Sequence, residues 1–344
     1  MKEAMLWEKV DGEVRCNVCG RRCIIPEGKT GFCGVRKNIK GRLYSLVYGK
    51  ACSTAVDPIE KKPFFHFAPG SRSFSVATVG CNFRCDFCQN WMISQFTGEV
   101  KGTELSPKDL VTMALNNHCE GMAYTYTEPT IFLEYAYDTM LEAETKLYNV
   151  FVSNGYMTKE TVKLVAPHLD AINIDYKGSE IFYRKLCSVP GVEPIKETMI
   201  EMKRRGVWVE VTNLIIPGYN DDPYHIEEMA KFIYQKLGPE TPLHFSRFHP
   251  DYKMLDVKIT PLETIEKAIR IAKDVGLYYV YSGNVPGHIN ENTYCYNCGE
   301  LLIERDGLRL TGFNLGEDLL CPNCGSEIHI QGKRWIPENL FKGS

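Results

Sequence analysis

Short apolar runs alternate with longer amphipathic stretches between residues 74 and 290. The apolar runs are rich in β-branched residues, which is typical of strands, and the amphipathic stretches have the apolar spacing of one-sided helices. Strands that alternate with helices favour a parallel sheet with right-handed crossover connections. The chain provides roughly six or seven such strand–helix units, fewer than the eight of a closed barrel. We therefore predict an α/β fold with a partial barrel over residues 71–290.

The pattern gives approximate bounds for these elements. The predicted strands cover residues 74–79, 122–126, 149–153, 171–175, 207–216, 243–248 and 278–281. The predicted helices cover residues 106–118, 130–147, 158–165, 179–186, 193–205, 223–237 and 260–275. Ser106 is a suitable N-cap, Pro107 suits the first helical position, and Gly276 is expected to end the last helix.

Three cysteines, Cys81, Cys85 and Cys88, directly follow the first predicted strand. Thiolates at this spacing, in a loop that leaves a strand, can bind three corners of a [4Fe–4S] cluster. Such a cluster normally takes four cysteines, so one iron would stay open to another ligand. An open coordination position distinguishes a catalytic metal site from a structural one. A structural zinc site or a disulfide framework fits this triplet less well.

A second cysteine group lies near the start of the chain, in a glycine-containing segment that we predict to be a metal module over residues 1–70. Its members are Cys16, Cys19, Cys23 and Cys33. Four thiolates complete the tetrahedral coordination of a structural zinc ion, which is the favoured interpretation. The same set also suits an auxiliary [4Fe–4S] cluster, and the sequence alone does not separate the two.

A third group lies near the end of the chain, where we predict a module over residues 291–344. It consists of two Cys-x-x-Cys-Gly pairs, Cys295 with Cys298 and Cys321 with Cys324. Two such pairs are typical of a zinc ribbon. The basic residues around them are scattered among acidic ones, so a role in folding or in docking a partner is favoured over nucleic-acid binding.

Charge and cysteine usage limit the function classes. The net charge is −3 at pH 7, with 40 Lys and Arg residues against 43 Asp and Glu residues. This balance indicates neither a membrane surface nor a nucleic acid as partner, although it does not exclude RNA. The first residues lack a secretory apolar core and no apolar run has the length of a membrane span, so we expect a cytoplasmic protein. In that compartment grouped cysteines indicate metals rather than disulfides.

Polar residues recur where the predicted strands end. In a parallel barrel the chemistry gathers at the carboxyl ends of the strands. Carboxylates, amides and a lysine at successive strand ends suit a zwitterionic nucleoside cofactor better than a barrel core. The candidate cofactor-binding residues at these ends are Glu128, Ser153, Asn154, Asp175, Lys177 and Arg247.

These motifs resemble those of a known superfamily. The triplet Cys81, Cys85 and Cys88, with Phe87 before its last cysteine, resembles the signature of radical S-adenosylmethionine (SAM) enzymes. The segments around Glu128, Asn154 and Asp175 resemble cofactor motifs of the branch that activates glycyl radical enzymes. With the terminal cysteine groups included, nearly the whole chain is similar to the AmmeMemoRadiSam radical SAM enzymes, which are related to pyruvate formate-lyase activating enzyme.

The resemblance implies a partial (βα)6-type radical SAM barrel and a [4Fe–4S] cluster bound by Cys81, Cys85 and Cys88. It implies that SAM chelates the open iron, and that an electron from a ferredoxin or flavodoxin cleaves SAM to methionine and a 5′-deoxyadenosyl radical. The radical then abstracts hydrogen from a substrate.

The resemblance also implies roles for single residues. Glu128 would hold the methionyl amino group, and Ser153 and Asn154 would face the ribose. Asp175 would meet the methionyl ammonium and Lys177 the carboxylate. Phe87 would contact the cofactor. Arg247 is placed near the ribose or the carboxylate by its strand end alone.

Three hypotheses about function follow. The first is a radical enzyme that acts on a protein partner, as activating enzymes do. The second keeps the radical chemistry but acts on a small molecule or on RNA. The third is a non-catalytic iron–sulfur or zinc-ribbon adaptor, which would not consume SAM.

Overall fold

An eight-stranded sheet forms the centre of the protein, in a computed structural model that describes residues 1–96 and 98–341. Its strands are β1 (Ser53–Pro58), β2 (Arg72–Ala77), β3 (Gly121–Tyr124), β4 (Tyr148–Ser153), β5 (Ala171–Asp175), β6 (Trp208–Ile215), β7 (Leu243–Arg247) and β8 (Val280–Gly283). Strands β2 to β8 are parallel and lie side by side in chain order. Strand β1 pairs antiparallel with β2, so β1 and β8 are the edges of an open barrel.

Helices lie in the connections between the parallel strands. They are α1 (Trp91–Ser94), α2 (Pro107–Asn116), α3 (Leu133–Ala143), α4 (Lys159–Val165), α5 (Glu180–Leu186), α6 (Glu193–Arg204), α7 (Pro223–Leu237) and α8 (Leu262–Val275). The seven parallel strands are those predicted from the apolar runs, so the predicted partial α/β barrel is confirmed. The sequence pattern missed β1 and the short helix α1.

Helix α8 shows why these stretches fold against the sheet. Ile265, Ala268, Ile269 and Ala272 are buried and fall on one stripe of the helix. Full burial of an isoleucine side chain stabilises a fold by about 1.5–3 kcal/mol. Gly276 follows with φ of 112°, a left-handed conformation that ends the helix as predicted.

Helix α2 begins as its sequence predicts. The Ser106 side chain accepts a hydrogen bond from the backbone N–H of Asp109, whose carboxylate accepts one from the backbone N–H of Ser106. Pro107 occupies the first helical position. This reciprocal capping fixes where the chain turns back toward the sheet.

The terminal segments fold into small antiparallel sheets. The N-terminal strands are Lys2–Glu3, Trp7–Val10, Glu13–Cys16, Ile24–Ile25, Arg36–Ile39 and Arg42–Ser45. Strand Lys50–Ala51 pairs with Thr103–Glu104. The C-terminal strands are Thr293–Tyr294, Leu301–Asp306 and Arg309–Phe313.

The two terminal segments relate differently to the barrel. Buried side chains of the N-terminal segment join the main core of the barrel, whereas buried C-terminal side chains form a small core of their own. The division into domains at residues 70 and 290 stays a prediction. Among the residues that the structure describes, no helix combines the length and the apolar character that crossing a bilayer requires.

The C-terminal segment contacts the barrel through buried polar groups. His66 is fully buried, with Nδ1 2.9 Å from the backbone oxygen of His329 and Nε2 2.6 Å from the Tyr281 hydroxyl. The guanidinium of Arg305 donates to the backbone oxygen of Phe65 and lies 4.2 Å from its ring centre. These contacts tie the end of the chain to the segment between β1 and β2.

Candidate active site

The carboxyl ends of the parallel strands surround a cavity of about 560 Å³. The predicted site residues that line it are Cys81, Cys85, Phe87, Cys88, Ser153, Asn154, Asp175 and Lys177. They come from the ends of β2, β4 and β5 and from the loops that follow. The structure thus brings together, around one space, residues that the sequence separates by nearly a hundred positions.

The cysteine loop turns sharply after β2, at Gly80. This residue has φ of 98°, and a Cβ atom there would lie 2.8 Å from the backbone oxygen of Cys33 and from a methyl group of Val35. Only glycine fits such a close approach. Farther along the loop, Arg84 donates to the backbone oxygens of Cys81 and Phe83 at 2.7 and 2.8 Å. These contacts hold the loop in one shape against the N-terminal segment.

The three thiols of the loop are poorly hydrated. Cys81 and Cys85 are 9% and 8% exposed, and Cys88 is half-buried. Burial raises the pKa of Cys81 and of Cys88. For Cys85 the largest cause of a raised pKa is a hydrogen bond with Cys187, followed by burial. Because thiolates are unfavourable here without a compensating cation, the loop suits a metal centre that displaces the protons.

The spacing of these sulfurs suits a cluster rather than a single ion. Two sulfurs bound to one zinc ion, at about 2.3 Å each, lie at most about 4.6 Å apart. Across residues 1–96 and 98–341, sulfurs of three or more cysteines lie within 4.8 Å of one another only in the C-terminal group. The thiols of Cys81, Cys85 and Cys88 are therefore too far apart for one ion, yet they line the same cavity. The residues present fit a [4Fe–4S] cluster.

Glu128 lies beneath the cavity wall, fully buried. Its Oε1 accepts hydrogen bonds from the Ser153 hydroxyl at 2.8 Å and the backbone N–H of Thr130 at 3.0 Å. Its Oε2 accepts from the backbone N–H of Asn154 at 2.8 Å. Burial raises the pKa of Glu128. The carboxylate thus joins the end of β3 to the end of β4 and does not itself line the cavity.

Asn154 connects the end of β4 with the cysteine loop. Its Nδ2 donates to Asn82 Oδ1 at 2.7 Å and lies 3.9 Å from the sulfur of Cys81. Its Oδ1 accepts from the backbone N–H of Tyr156 at 3.0 Å. The amide is therefore fixed at both ends beside the first cysteine.

Asp175 and Lys177 form an ion pair at the end of β5, with 2.7 Å between Oδ2 and Nζ. Burial alone would lower the pKa of Lys177, but the Asp175 carboxylate outweighs it and holds the pKa above its ordinary value. The lysine therefore stays cationic beside its carboxylate. The pair presents both signs of charge to the cavity, as a zwitterionic ligand requires.

Arg247, the remaining predicted contact, lies away from the cavity lining. Its Nε donates to the backbone oxygen of Thr260 at 2.7 Å, and its own backbone oxygen accepts from Asn284 Nδ2 at 3.2 Å. Ser246 and Asn284 line the cavity at this point instead. The role predicted for Arg247 stays a prediction.

Sequence reasoning missed a lysine on the cavity wall. Lys62 is 2% exposed and donates to Asp57 Oδ2 at 2.7 Å, while its Nζ lies 4.3 Å from the ring centre of Tyr126. Burial lowers the pKa of Lys62 to about 8, although Asp57 opposes this shift. Tyr126 and the more exposed Lys61 line the same cavity. An aspartate followed at short range by two lysines was the available signal.

The C-terminal cysteines form a compact metal-binding group. The sulfurs of Cys295, Cys298, Cys321 and Cys324 all lie within 4.8 Å of one another. Each pair closes a knuckle whose following glycine, Gly299 or Gly325, has a positive φ and donates its N–H to the first cysteine's backbone oxygen. The arrangement fits one tetrahedral zinc ion.

The N-terminal cysteines surround a void of their own. Cys16, Cys19, Cys23 and Cys33 line it. Cys16 and Cys33 are buried, and the other two are half-buried. The predicted group is thus assembled in space, next to the cysteine loop but separate from the large cavity.

Comparison with known proteins agrees with this geometry. A family model described as the radical SAM superfamily matches residues 75–233. The matched span begins in β2 and ends in α7, so it includes the cysteine loop and the strand ends that carry the candidate cofactor contacts, apart from Arg247.

The chain also resembles individual proteins. It is 52% identical over 334 residues to the uncharacterized protein MJ0808 of Methanocaldococcus jannaschii, covering 96% of this chain and 99% of that protein. It is 25% identical over 280 residues to the uncharacterized protein MJ0674 of the same organism, covering 77% and 76%. A solved domain of pyruvate-formate lyase-activating enzyme from Bacteroides vulgatus matches at 21% identity and a TM-score of 0.42, covering 48% of this chain and 99% of that domain.

Proposed function

The chain belongs to the radical SAM superfamily, and we propose that it is an enzyme whose Cys81, Cys85 and Cys88 bind a catalytic [4Fe–4S] cluster. One observation carries the proposal: these thiols share a single cavity with the Asp175–Lys177 ion pair. When bound, the cluster supplies the electron that cleaves SAM to methionine and a 5′-deoxyadenosyl radical, which takes hydrogen from the substrate. A ferredoxin or flavodoxin is the proposed source of that electron.

The residues of the chain bind and orient SAM in this proposal. Asp175 attracts the methionyl ammonium and Lys177 attracts the carboxylate, because opposite charges pair strongly in a partly dehydrated site. Ser153 and Asn154 face the ribose. Glu128 acts as a positioning residue, since it holds both Ser153 and Asn154 by hydrogen bonds.

We propose a protein partner as the substrate. Met92 and Trp91 of α1 are 76% and 39% exposed, and their neighbours Asn90 and Ser94 line the cavity. Exposed methionine and tryptophan are enriched at protein–protein interfaces. A partner seated on α1 could extend a segment into the cavity. An acidic small molecule is the second candidate, favoured by Lys61 and Lys62 on the cavity wall.

The catalytic part is tested by 5′-deoxyadenosine formation with anaerobic, reduced protein and SAM. Replacing Cys85→Ala should abolish the product and remove about four iron atoms per chain. Cys187→Ala is the matched control, because this thiol neighbours Cys85 but has no assigned ligand role. The Cys187→Ala variant should still form 5′-deoxyadenosine. Absence of product from wild-type protein with an intact cluster would support the non-catalytic adaptor instead.

The substrate is tested by deuterium transfer into 5′-deoxyadenosine. Deuterated cell extract is divided into a protein fraction and a low-mass fraction, and each is supplied to the reduced enzyme. Label should arrive from the protein fraction, and the double substitution Trp91→Ala and Met92→Ser should lower that transfer about tenfold, as a loss of about 1.4 kcal/mol of binding predicts. Product formation without substrate should stay unchanged. Transfer from the low-mass fraction alone would favour the acidic small molecule.

A further inference from the structure

The void among the N-terminal cysteines is larger than a single metal ion needs. It leaves about 20 Å³ in which the centre of a water-sized sphere can move. On that measure one water molecule needs only about 10–15 Å³. Four sulfurs closed around a zinc ion leave no such space, because each lies about 2.3 Å from the metal. The four cysteines here surround a space instead of meeting at a point.

The sulfur spacing leads to the same conclusion. Within the part of the chain that the structure describes, no three of the sulfurs of Cys16, Cys19, Cys23 and Cys33 lie mutually within 4.8 Å. Sulfurs that share a zinc ion cannot exceed about 4.6 Å. In the C-terminal group, by contrast, two pairs of sulfurs lie 3.6 Å apart. The N-terminal sulfurs are thus farther apart than the C-terminal ones, as the sulfurs of the catalytic loop also are.

Two residues that line this void each carry a buried nitrogen donor without a partner among the described atoms. These donors are Nη1 of Arg36, a residue 2% exposed, and Nδ2 of Asn82, which is fully buried. The other Arg36 nitrogens are satisfied by Ile131 and Glu134. A buried donor left unpaired is destabilising, because it has lost its hydrogen bonds to water. Both donors would be satisfied by sulfur acceptors inside the void.

We propose that Cys16, Cys19, Cys23 and Cys33 bind a second [4Fe–4S] cluster, with Arg36 and Asn82 donating hydrogen bonds to its sulfur atoms. Full ligation by four cysteines leaves no iron open, so this cluster is not a second SAM site. The site is independent of the catalytic proposal, because none of its ligands belongs to the triplet at residues 81–88. Asn82 lies between the two, since it follows Cys81 in the chain and accepts a hydrogen bond from Asn154.

Metal analysis of a variant that lacks the catalytic ligands tests the proposal. The full chain with Cys81→Ala, Cys85→Ala and Cys88→Ala is expressed with iron–sulfur assembly proteins and purified without oxygen. It should retain about four iron and four sulfide per chain, with the electron paramagnetic resonance signal of a reduced [4Fe–4S] cluster. About two zinc and no iron would overturn the proposal. Because this variant cannot cleave SAM, the result is separate from that of the proposed function.

A second pair of variants locates the iron and controls for misfolding. In the otherwise wild-type chain, Cys19→Ser with Cys23→Ser should remove about four iron and leave the zinc. Cys298→Ser with Cys324→Ser is the matched control and should remove zinc alone. Thermal unfolding by circular dichroism checks that both variants fold. Full retention of iron by a folded Cys19/Cys23 variant would overturn the assignment.

A third variant tests the donor role of Asn82. In the protein that lacks the catalytic ligands, Asn82→Asp replaces the side-chain amide of a residue that lines the void with a carboxylate. The reduction potential of the remaining cluster should fall, because negative charge disfavours the added electron. A redox titration followed by electron paramagnetic resonance measures it. An unchanged reduction potential would show that Asn82 does not donate a hydrogen bond to this cluster.

Discussion

The two terminal cysteine groups have the same ligand count and opposite surroundings. The N-terminal group encloses a void, is built into the main core and includes buried cationic and amide donors. The C-terminal group brings its sulfurs together, leaves Cys298 and Cys324 exposed and belongs to a separate small core. The number of cysteines therefore does not identify a metal centre. The surroundings of the sulfurs and the distances between them identify the centre.

Chelation should separate the two groups most sharply. EDTA added to anaerobic wild-type protein should remove about one zinc per chain, because half of the C-terminal ligands face solvent. Iron should remain, because two of the four N-terminal cysteines are buried and the other two are half-buried. Metal content after desalting is the measurement, and the Cys298→Ser and Cys324→Ser variant should release no zinc. Loss of iron and zinc together would contradict the difference in burial between the N-terminal and C-terminal cysteine groups.

Removing one partner of the buried ion pair beside the N-terminal void should be strongly destabilising. Arg36 and Glu134 are 2% and 0% exposed and lie 2.7 Å apart. Arg36→Leu leaves the carboxylate buried without its charge partner and should lower the free energy of unfolding by about 3–5 kcal/mol. Urea unfolding followed by circular dichroism measures it. Arg42→Leu, which breaks an exposed pair with Glu3 in the same segment, is the control and should cost at most about 1 kcal/mol.

Mild acid should weaken the contact that His66 makes with the C-terminal segment. Burial, the largest cause, lowers the pKa of His66 to about 4 from its ordinary 6.5, although Glu210 opposes the shift. Below pH 6.5 the unfolded chain takes up a proton that the folded chain refuses, so stability falls as the pH drops from 6.5 toward 4.

Between pH 7 and 5.5 the fall due to His66 should be about 1 kcal/mol. Urea unfolding at both pH values measures it. His66→Gln should remove this part of the pH dependence, whereas His225→Gln, on the half-exposed surface of α7, should leave it intact. Identical pH profiles for wild type and His66→Gln would show that the C-terminal contact does not sense acid.

The elements that a local pattern determines could be predicted from the sequence. The seven parallel strands and the capped start of α2 depend on runs of neighbouring residues, and they were predicted. Strand β1 was missed because Ser53–Pro58 is partly polar and pairs only once β2 is in place. The proximity of Cys187 to Cys85 likewise depends on how α5 packs.

The contacts of the strand-end residues likewise could not be predicted from a local pattern. The sequence placed Glu128 and Arg247 at the active end of the barrel, but the direction of each side chain depends on partners distant in sequence. Glu128 turns toward Ser153 and Asn154, and Arg247 toward Thr260. Lys62 was missed because lysines are usually exposed, and this one is buried only because Asp57 pairs with it. The metal of the N-terminal group could not be read from spacing, since the void and its donors exist only in three dimensions.

The wall that Asn82 and Ile131 give the N-terminal void has a consequence for biogenesis. Both residues belong to the barrel, so the wall of the void is complete only when the barrel has folded, and we expect a cluster carrier to deliver its cargo before that moment. The exposed C-terminal group can be filled later by free zinc. Iron and sulfide added to folded apoprotein should therefore load the catalytic loop and leave the N-terminal site empty. Equally fast loading of both sites would contradict this order of maturation.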